Sequence, residues 1–162
     1  MEGVNDQGTN QATLHTSPDC LMPTSRTMAG TPTYDTCDVT LNFNAGCGVK
    51  FPTASSFGPA FNTNGGGWFA SYCAYISHAR SFVNPDAWGT PAAYFPNTFC
   101  DFSTHFDPQN IIINLTLCGD WAGSTYSQGT GCPLTCVDHV NYNASAFTDA
   151  YFDFASIRKA TF

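Results

Sequence analysis

The sequence predicts an all-β protein built as a sandwich of two antiparallel sheets. Of its 162 residues only 10% are charged, whereas 15% are aromatic. Fourteen glycines and ten prolines, together with many Asn, Thr and Ser residues, interrupt short apolar runs. Near the beginning, apolar and polar residues alternate with the period of a strand. Short strands joined by many turns are typical of sandwiches, and the length suffices for one domain with a buried core.

The first predicted strand covers residues 10–16. Because successive side chains of a strand point to opposite faces, this strand has an apolar face and a polar face. The polar face either contacts water or lines a ligand-binding cleft, and spacing alone does not separate these alternatives. Ala12 and Leu14 lie on the apolar face, and Gln11, Thr13 and His15 lie on the polar face.

Residues 17–66 are predicted to be rich in loops. Turn-forming pairs and triplets of Gly, Pro and Asn recur along the whole stretch. An irregular segment of this length needs covalent or packing restraints, and Cys20, Cys37 and Cys47 could supply them as disulfides.

The remaining predicted elements lie in the C-terminal part of the chain. Residues 111–118 give the clearest strand, since the run begins with three isoleucines and alternation places Ile111, Ile113, Leu115 and Leu117 on one face. A short helix is expected next, capped by Thr135 and ending near residue 142. Residues 150–159 contain three aromatic side chains and are expected to form a closing strand.

The cysteines predict disulfides formed in an oxidising compartment. The chain has an even, dispersed set of eight, and such sets are typical of secreted proteins. Eight cysteines allow about 105 pairings, and the sequence does not choose among them. A zinc site at Cys132, Cys136 and His139 is the alternative, but its spacing is loose and a fourth ligand is not evident. We therefore expect no metal. The cysteines are Cys20, Cys37, Cys47, Cys73, Cys100, Cys118, Cys132 and Cys136.

Charge and hydropathy restrict the partners. The formal net charge is −7, and the five basic residues form no patch apart from the pair Arg158 and Lys159. Nucleic-acid binding is therefore not expected. No apolar run approaches the roughly 20 residues of a membrane span. Abundant aromatic rings and neutral hydrogen-bonding groups suit an uncharged polysaccharide, and we expect a monomer without a cofactor.

Several separated motifs resemble one family of secreted enzymes. The chain is similar to fungal members of glycoside hydrolase family 16, the endo-β-1,3(4)-glucanases or laminarinases. The resemblance covers nearly the whole chain, except for residues 70–85. It implies a concanavalin-like β-jelly roll, incomplete here, with a concave cleft and one short helix near the C-terminus, and makes residues 1–162 a single partial domain. The matching segments are residues 2–6 (EGVND), 10–16 (NQATLHT), 57–62 (FGPAFN), 65–68 (GGGW), 86–98 and 118–123 (CGDWAG).

The resemblance implies hydrolysis of β-1,3 or mixed β-1,3/1,4-glucan with retention of configuration. Glu2, the only glutamate of the chain, matches the last acid of the family's Glu-x-Asp-x-x-Glu strand and would be the general acid/base. The nucleophile of that strand has no counterpart in this sequence. Asp6 is a poor substitute, because four strand residues span about 13 Å, far beyond glycosidase geometry. We therefore expect the chain as written to be inactive or impaired.

Three residues are expected to bind the glucan. His15 aligns with a histidine close to the catalytic centre of fungal laminarinases, Gln11 shares its cleft face, and Trp121 aligns with a sugar-stacking tryptophan. Each has a plainer interpretation as well. His15 and Gln11 could simply face water, Trp121 could pack in the core, and Glu2 could be a solvated terminal charge. Trp68 and Trp88 are expected to be core or rim residues.

The sequence combines a secreted composition with no signal peptide before Glu2, although the full-length parent would be secreted. Truncation of a longer glucanase, or a gene start placed at an internal methionine, is the simplest explanation. Two alternatives stay open. One is a glucan-binding module without catalysis, and the other is a small cystine-stabilised secreted protein that binds no glucan.

Overall fold

The structure is a computed structural model that describes residues 9–71, 85–126 and 131–158. The described residues fall into two compact units, one ending at Gln109 and the other beginning at Asn110. Of the disulfides among the described residues, two lie in the first unit and one in the second, and each unit has its own short helices.

The first unit contains a three-stranded antiparallel sheet in the order β1-β3-β2. Its strands are β1 (Gln11–Leu14), β2 (Thr31–Pro32) and β3 (Cys47–Lys50). The position of β1 confirms the strand predicted over residues 10–16. β3 is central and contributes Val49, which is completely buried and pairs with Ala12 on one side and Pro32 on the other. Val49 and Ala12 therefore lie on the apolar face of the sheet, whereas Pro32 is exposed.

The core of the first unit consists mainly of cystine. The disulfides Cys20–Cys100 and Cys37–Cys47 are completely or almost completely buried, with Met22 beside them. The partly buried side chains Leu14, Phe95 and Phe102 pack against this cluster. In this unit the disulfides therefore fill the core, as aliphatic side chains do in larger proteins. The two bonds also confirm the prediction that Cys20, Cys37 and Cys47 restrain the segment that follows β1.

The prediction that residues 17–66 are rich in loops is confirmed, since most of that stretch lies outside helices and strands. β2, β3 and a helix, α1 (Gly58–Thr63), lie inside that stretch. Pro59 lies in the first turn of α1, where its missing N–H costs nothing. A second helix, α2 (Phe102–His105), begins where the carboxylate of Asp101 accepts a hydrogen bond from the backbone N–H of Ser103. Single 3₁₀ turns occur at Asn42–Asn44, Ala54–Ser56 and Pro85–Trp88.

The second unit is built on two helices and one disulfide. The helices are α3 (Gly119–Thr125) and α4 (Cys136–Tyr142), and Cys118–Cys136 joins their first turns. A 3₁₀ turn follows at Ala144–Phe147. The predicted C-terminal helix is confirmed with its cap, since the Thr135 hydroxyl oxygen lies 3.1 Å from the backbone nitrogen of Asp138 and accepts its hydrogen bond.

Two predicted strands of the second unit were wrong. Residues 111–118 belong to no strand, and the side chains of residues 111–117 are exposed. The described part of the closing segment, residues 150–158, is likewise exposed and not a strand. A strand requires a partner for its backbone N–H and C=O groups, and the sheet that the structure describes pairs only β1, β2 and β3.

A search of the described helices for membrane spans found none with the necessary length and apolar character.

Candidate functional site

The polar face of the sheet collects the hydrogen-bonding side chains of three strands. Directly opposed residues of antiparallel strands lie on the same face, so Gln11 and Thr31 flank Lys50, and Thr13 flanks Gly48. Thr33, just beyond β2, lies opposite Gly48 as well, because its backbone N–H donates to the Gly48 carbonyl oxygen at 2.9 Å. The face is therefore polar across its width, as the alternation in β1 predicted.

Gly48 provides the space in which these side chains meet. A Cβ atom at this position would collide with the amide nitrogen of Gln11 and would lie 2.7 Å from the hydroxyl oxygen of Thr33. The Gln11 amide instead donates to the Thr13 hydroxyl oxygen at 2.8 Å, and the Thr33 hydroxyl donates to the Gly48 carbonyl oxygen at 3.1 Å. The result is a small preorganised set of amide and hydroxyl groups.

His15 extends this face by one more strand position. Its ring is exposed, and Nδ1 lies 3.0 Å from the side-chain oxygen of Asn44. The ring also lies against Gly46, where a Cβ atom would come within 3.0 Å of Nδ1. Gln11 and His15 are thus on one face, as predicted, and two glycines beside their side chains, Gly48 in β3 and Gly46 just before it, leave the face open.

Trp121 lies in the other unit, in the first half of α3. The hydroxyls of Ser124 and Thr125 both donate to its backbone carbonyl oxygen, at 2.8 and 3.1 Å, which fixes its turn of the helix. The side chain is 52% exposed, so the interpretation of Trp121 as a core residue was wrong. Trp68 and Trp88 are exposed too and do not belong to a core.

Glu2 and Asp6 lie outside the described residues. The assignment of Glu2 as the acid/base therefore stays a prediction, as do the glucan-binding roles of Gln11, His15 and Trp121.

The zinc alternative was wrong. Cys136 is bonded to Cys118 and so supplies no thiolate to a metal. No cluster of three or more His, Cys, Asp or Glu side chains suited to a metal occurs in residues 9–71, 85–126 and 131–158.

Two residues of the polar face were not identified from the sequence. Thr33 lies on another strand, and only the pairing of β2 with β3 brings it beside Gly48. Asn44 lies in the turn before β3, where its approach to His15 depends on the fold. The sequence could have indicated the turn, because asparagine is favoured where the backbone is left-handed and both Asn42 and Asn44 occur there. It could not have indicated the contact with His15.

Comparison with known families identifies the domain type. The profile described as the XgeA-like catalytic domain of glycoside hydrolase family 16 matches residues 1–77 and 73–159. The chain belongs to glycoside hydrolase family 16, which confirms the resemblance seen in its motifs.

Individual relatives are fungal. A probable glycosidase of Schizosaccharomyces pombe is 41% identical over 174 residues, which cover 97% of this chain and 42% of that protein. A probable endo-1,3(4)-beta-glucanase of Aspergillus clavatus is 37% identical over 180 residues, covering 98% of this chain and 28% of that protein. The chain therefore spans less than half the length of either relative.

Solved structures show the same fold. A mutant laminarinase 16A that cyclizes laminariheptaose is 51% identical, with a TM-score of 0.81, and the match covers 93% of this chain and 57% of that one. Laminarinase 16A from Phanerochaete chrysosporium, with two beta-glucans in its donor and acceptor sites, gives 51% identity and a TM-score of 0.79 over the same shares. The predicted fold class, an incomplete all-β jelly roll with a short C-terminal helix, is confirmed by this likeness.

Proposed function

We propose that this chain is the glucan-binding and acid/base part of a β-glucanase that hydrolyses β-1,3 or mixed β-1,3/1,4-glucan. The likeness to a laminarinase with bound beta-glucans carries the proposal, at 51% identity and a TM-score of 0.79. The polar face formed by Gln11, Thr13, Thr33 and His15 supports it, because neutral amide, hydroxyl and imidazole groups suit sugar hydroxyls. The proposed substrate is an uncharged polysaccharide, because a protein with a net charge of −7 would repel an anionic one.

In this proposal Glu2 protonates the oxygen of the leaving sugar and then, as a carboxylate, activates the water that releases the product. Retention of configuration requires a second carboxylate about 5–5.5 Å away as the nucleophile. Glu2 is the only glutamate of the sequence, and Asp6 is too far along a strand to take that part. We therefore propose that residues 1–162 by themselves bind glucan and do not turn it over efficiently.

The roles of the binding residues follow from their chemistry. Gln11 and His15 would hydrogen-bond sugar hydroxyls from β1, and the half-exposed indole of Trp121 would stack on a sugar ring. We further propose a monomer that is exported to an oxidising compartment, because buried cystines form the core of the first unit.

The experiment is a pair of measurements on the 162-residue chain. Titration calorimetry with laminari-oligosaccharides should detect binding that is weakened by Gln11→Ala and unchanged by Gln109→Ala, a matched glutamine at the end of the same unit. Reducing-end assays with laminarin should give little product, whether position 2 is Glu or Gln. Efficient turnover would overturn the proposal of an incomplete catalytic pair, and the lack of any glucan binding would overturn the assignment of the substrate.

The alternative of a cystine-stabilised protein with no glucan partner is tested by the same titration. The alternative of a purely binding module is distinguished by a variant in which the family's Glu-x-Asp-x-x sequence is joined in front of Glu2. Activity that then depends on Glu2 would favour the glucanase.

A further inference from the structure

The turn before β3 has an unusual backbone. Asn42, Phe43 and Asn44 all have left-handed conformations, with φ of 50°, 57° and 61°. Two backbone hydrogen bonds close the turn, from Asn44 N to Leu41 O at 3.0 Å and from Ala45 N to Asn42 O at 3.1 Å. Residues other than glycine adopt this conformation at a cost in free energy, usually singly and not in series.

Burial of the turn does not account for that cost. Phe43, at its centre, has a completely exposed ring, and Asn42 and Asn44 are exposed as well. Backbone strain that is not offset by packing is found most often at functional sites. The side chain that the turn directs towards the polar face is Asn44, whose oxygen reaches the His15 ring across 29 residues.

The contact has a defined polarity. The side-chain oxygen of Asn44 can only accept a hydrogen bond, so the ring nitrogen 3.0 Å away, Nδ1 of His15, has to donate. In a neutral imidazole the proton on Nδ1 leaves a lone pair on Nε2. Gly46 follows the turn with φ of 62°, and a side chain there would lie against the same ring.

We propose that Asn44 is a positioning residue that holds His15 in the tautomer with the proton on Nδ1. This leaves Nε2 as the hydrogen-bond acceptor for a glucose hydroxyl. The inference rests on the proposed function only for the identity of that ligand. The left-handed turn places the side chain of Asn44 next to the ring. The backbone strain of the turn is thus offset by a defined tautomer of His15, in which Nε2 accepts hydrogen bonds.

Two glycine substitutions separate this role from a general role in the turn. Asn44→Gly keeps a left-handed backbone, which glycine adopts readily, and removes the side-chain oxygen. Asn42→Gly makes the same backbone change two residues earlier and leaves the contact with His15 intact. Neither is expected to prevent folding. Asn44→Asp keeps an accepting oxygen and should also hold the proton on Nδ1. Because its negative charge favours the imidazolium ion, the variants are compared at a pH at which the ring of His15 is neutral in each.

The test uses the 162-residue chain labelled with ¹⁵N in its histidines. Two-bond ¹H–¹⁵N spectra should show His15 with the proton on Nδ1 in the unsubstituted chain, in Asn42→Gly and in Asn44→Asp, and a shift towards the proton on Nε2 in Asn44→Gly. Titration with laminari-oligosaccharides should give a dissociation constant about three- to tenfold higher for Asn44→Gly, the loss expected for one neutral hydrogen bond, and one within about twofold for Asn42→Gly.

A proton on Nε2 in the unsubstituted chain, or equal spectra for the two glycine variants, would overturn the role of Asn44. A tautomer that shifts as expected in a chain that binds no oligosaccharide would leave Asn44 as the positioning residue and overturn the glucan assignment. The two failures are therefore distinguishable.

Discussion

His105 connects α2 to the segment before Cys20, since its Nε2 atom lies 2.9 Å from the carbonyl oxygen of Pro18, 87 residues away. Its other ring nitrogen, Nδ1, lies 2.8 Å from the carbonyl oxygen of Asp101. Carbonyl oxygens only accept hydrogen bonds, so both nitrogens must donate and the ring is favoured as the imidazolium ion. The hydrogen bond to the Asp101 carbonyl, followed by that to the Pro18 carbonyl, raises the pKa of His105.

This arrangement predicts a loss of stability as the pH rises above the ordinary pKa of histidine. A raised pKa in the folded state contributes stability that is fully present below the unfolded value of about 6.5. The contribution is lost as the pH rises through the higher folded pKa. Melting temperatures of the unsubstituted chain should therefore fall across this window, and the His105→Gln variant should lack that component. An identical pH profile for the two chains would contradict the assignment.

Asp101 determines the acid limb of the same pH profile. The side-chain hydrogen bond from Ser103, at 2.6 Å, is the main cause that lowers the pKa of Asp101. Its contribution is present above the unfolded value of about 3.9 and is lost as the pH falls through the lower folded pKa. Asp101→Ala should therefore change the acid limb of the profile. Because the Asp101 carboxylate also helps to raise the pKa of His105, this variant should in addition move the His105 limb to lower pH.

Gly48→Ala should destabilise the first unit and disturb the polar face. The new methyl group would collide with the Gln11 amide and lie 2.7 Å from the Thr33 hydroxyl oxygen. Overpacking of this kind costs about 1–3 kcal/mol. Urea denaturation measures the cost, and oligosaccharide titration should show weaker binding because Gln11 is displaced.

Gly123→Ala is the matched control for that substitution. Gly123 lies inside α3, and the nearest atoms to a Cβ there are at an ordinary 3.6 Å. Alanine is about 0.5–1 kcal/mol better than glycine within a helix, so this variant should be slightly more stable. A Gly48→Ala variant as stable as the unsubstituted chain would contradict the packing described around β3.

The two buried disulfides of the first unit should differ in the stability that they confer. Cys20–Cys100 closes a loop across 80 residues, whereas Cys37–Cys47 spans 10. The chain-entropy relation gives about 4.5 kcal/mol for the longer loop and about 2.7 kcal/mol for the shorter. Denaturation of the two Cys→Ser pairs should show the larger loss for Cys20 and Cys100, and the reverse order would contradict a mainly entropic effect.

The exposed apolar segment 111–117 should limit the solubility of this chain. Ile111 and Ile112 are 67% and 78% exposed, in a backbone that pairs with no described strand. Contiguous exposed apolar residues of this kind promote association. Ile112→Lys should raise the soluble yield and lower the binding of an apolar dye. Val49→Lys, which buries a charge in the sheet, should abolish folding instead.

The helices and strands that could be predicted from the sequence are those whose pattern lies in consecutive residues. β1 was predictable because alternation is a property of consecutive residues, and α4 because Thr135 and Asp138 form a local cap. β3 was not, since its strand character comes from Val49 packing between Ala12 and Pro32, residues distant in sequence. The run of isoleucines at 111–113 has high strand propensity, but propensity forms no strand without a neighbour.

The residues of the candidate site likewise differ in whether a local pattern could predict them. Gln11 and His15 could be placed on one face from their spacing in β1. Thr33 and Asn44 reach that face only through the register of β2 with β3 and through the left-handed turn. Glu2, on which the catalytic part of the interpretation depends, lies outside the described residues, so its role rests on the family's motif.

The handedness of the turn at Asn42–Asn44 has a consequence for chemical synthesis. The conformation that strains an L-amino acid is the one that its mirror image prefers. The ring of Phe43 is fully exposed, so no packing would have to change. A semisynthetic chain with D-phenylalanine at this position should therefore have less backbone strain in the turn than the chain made of L-amino acids. The same exchange within β1, β2 or β3 would be disruptive.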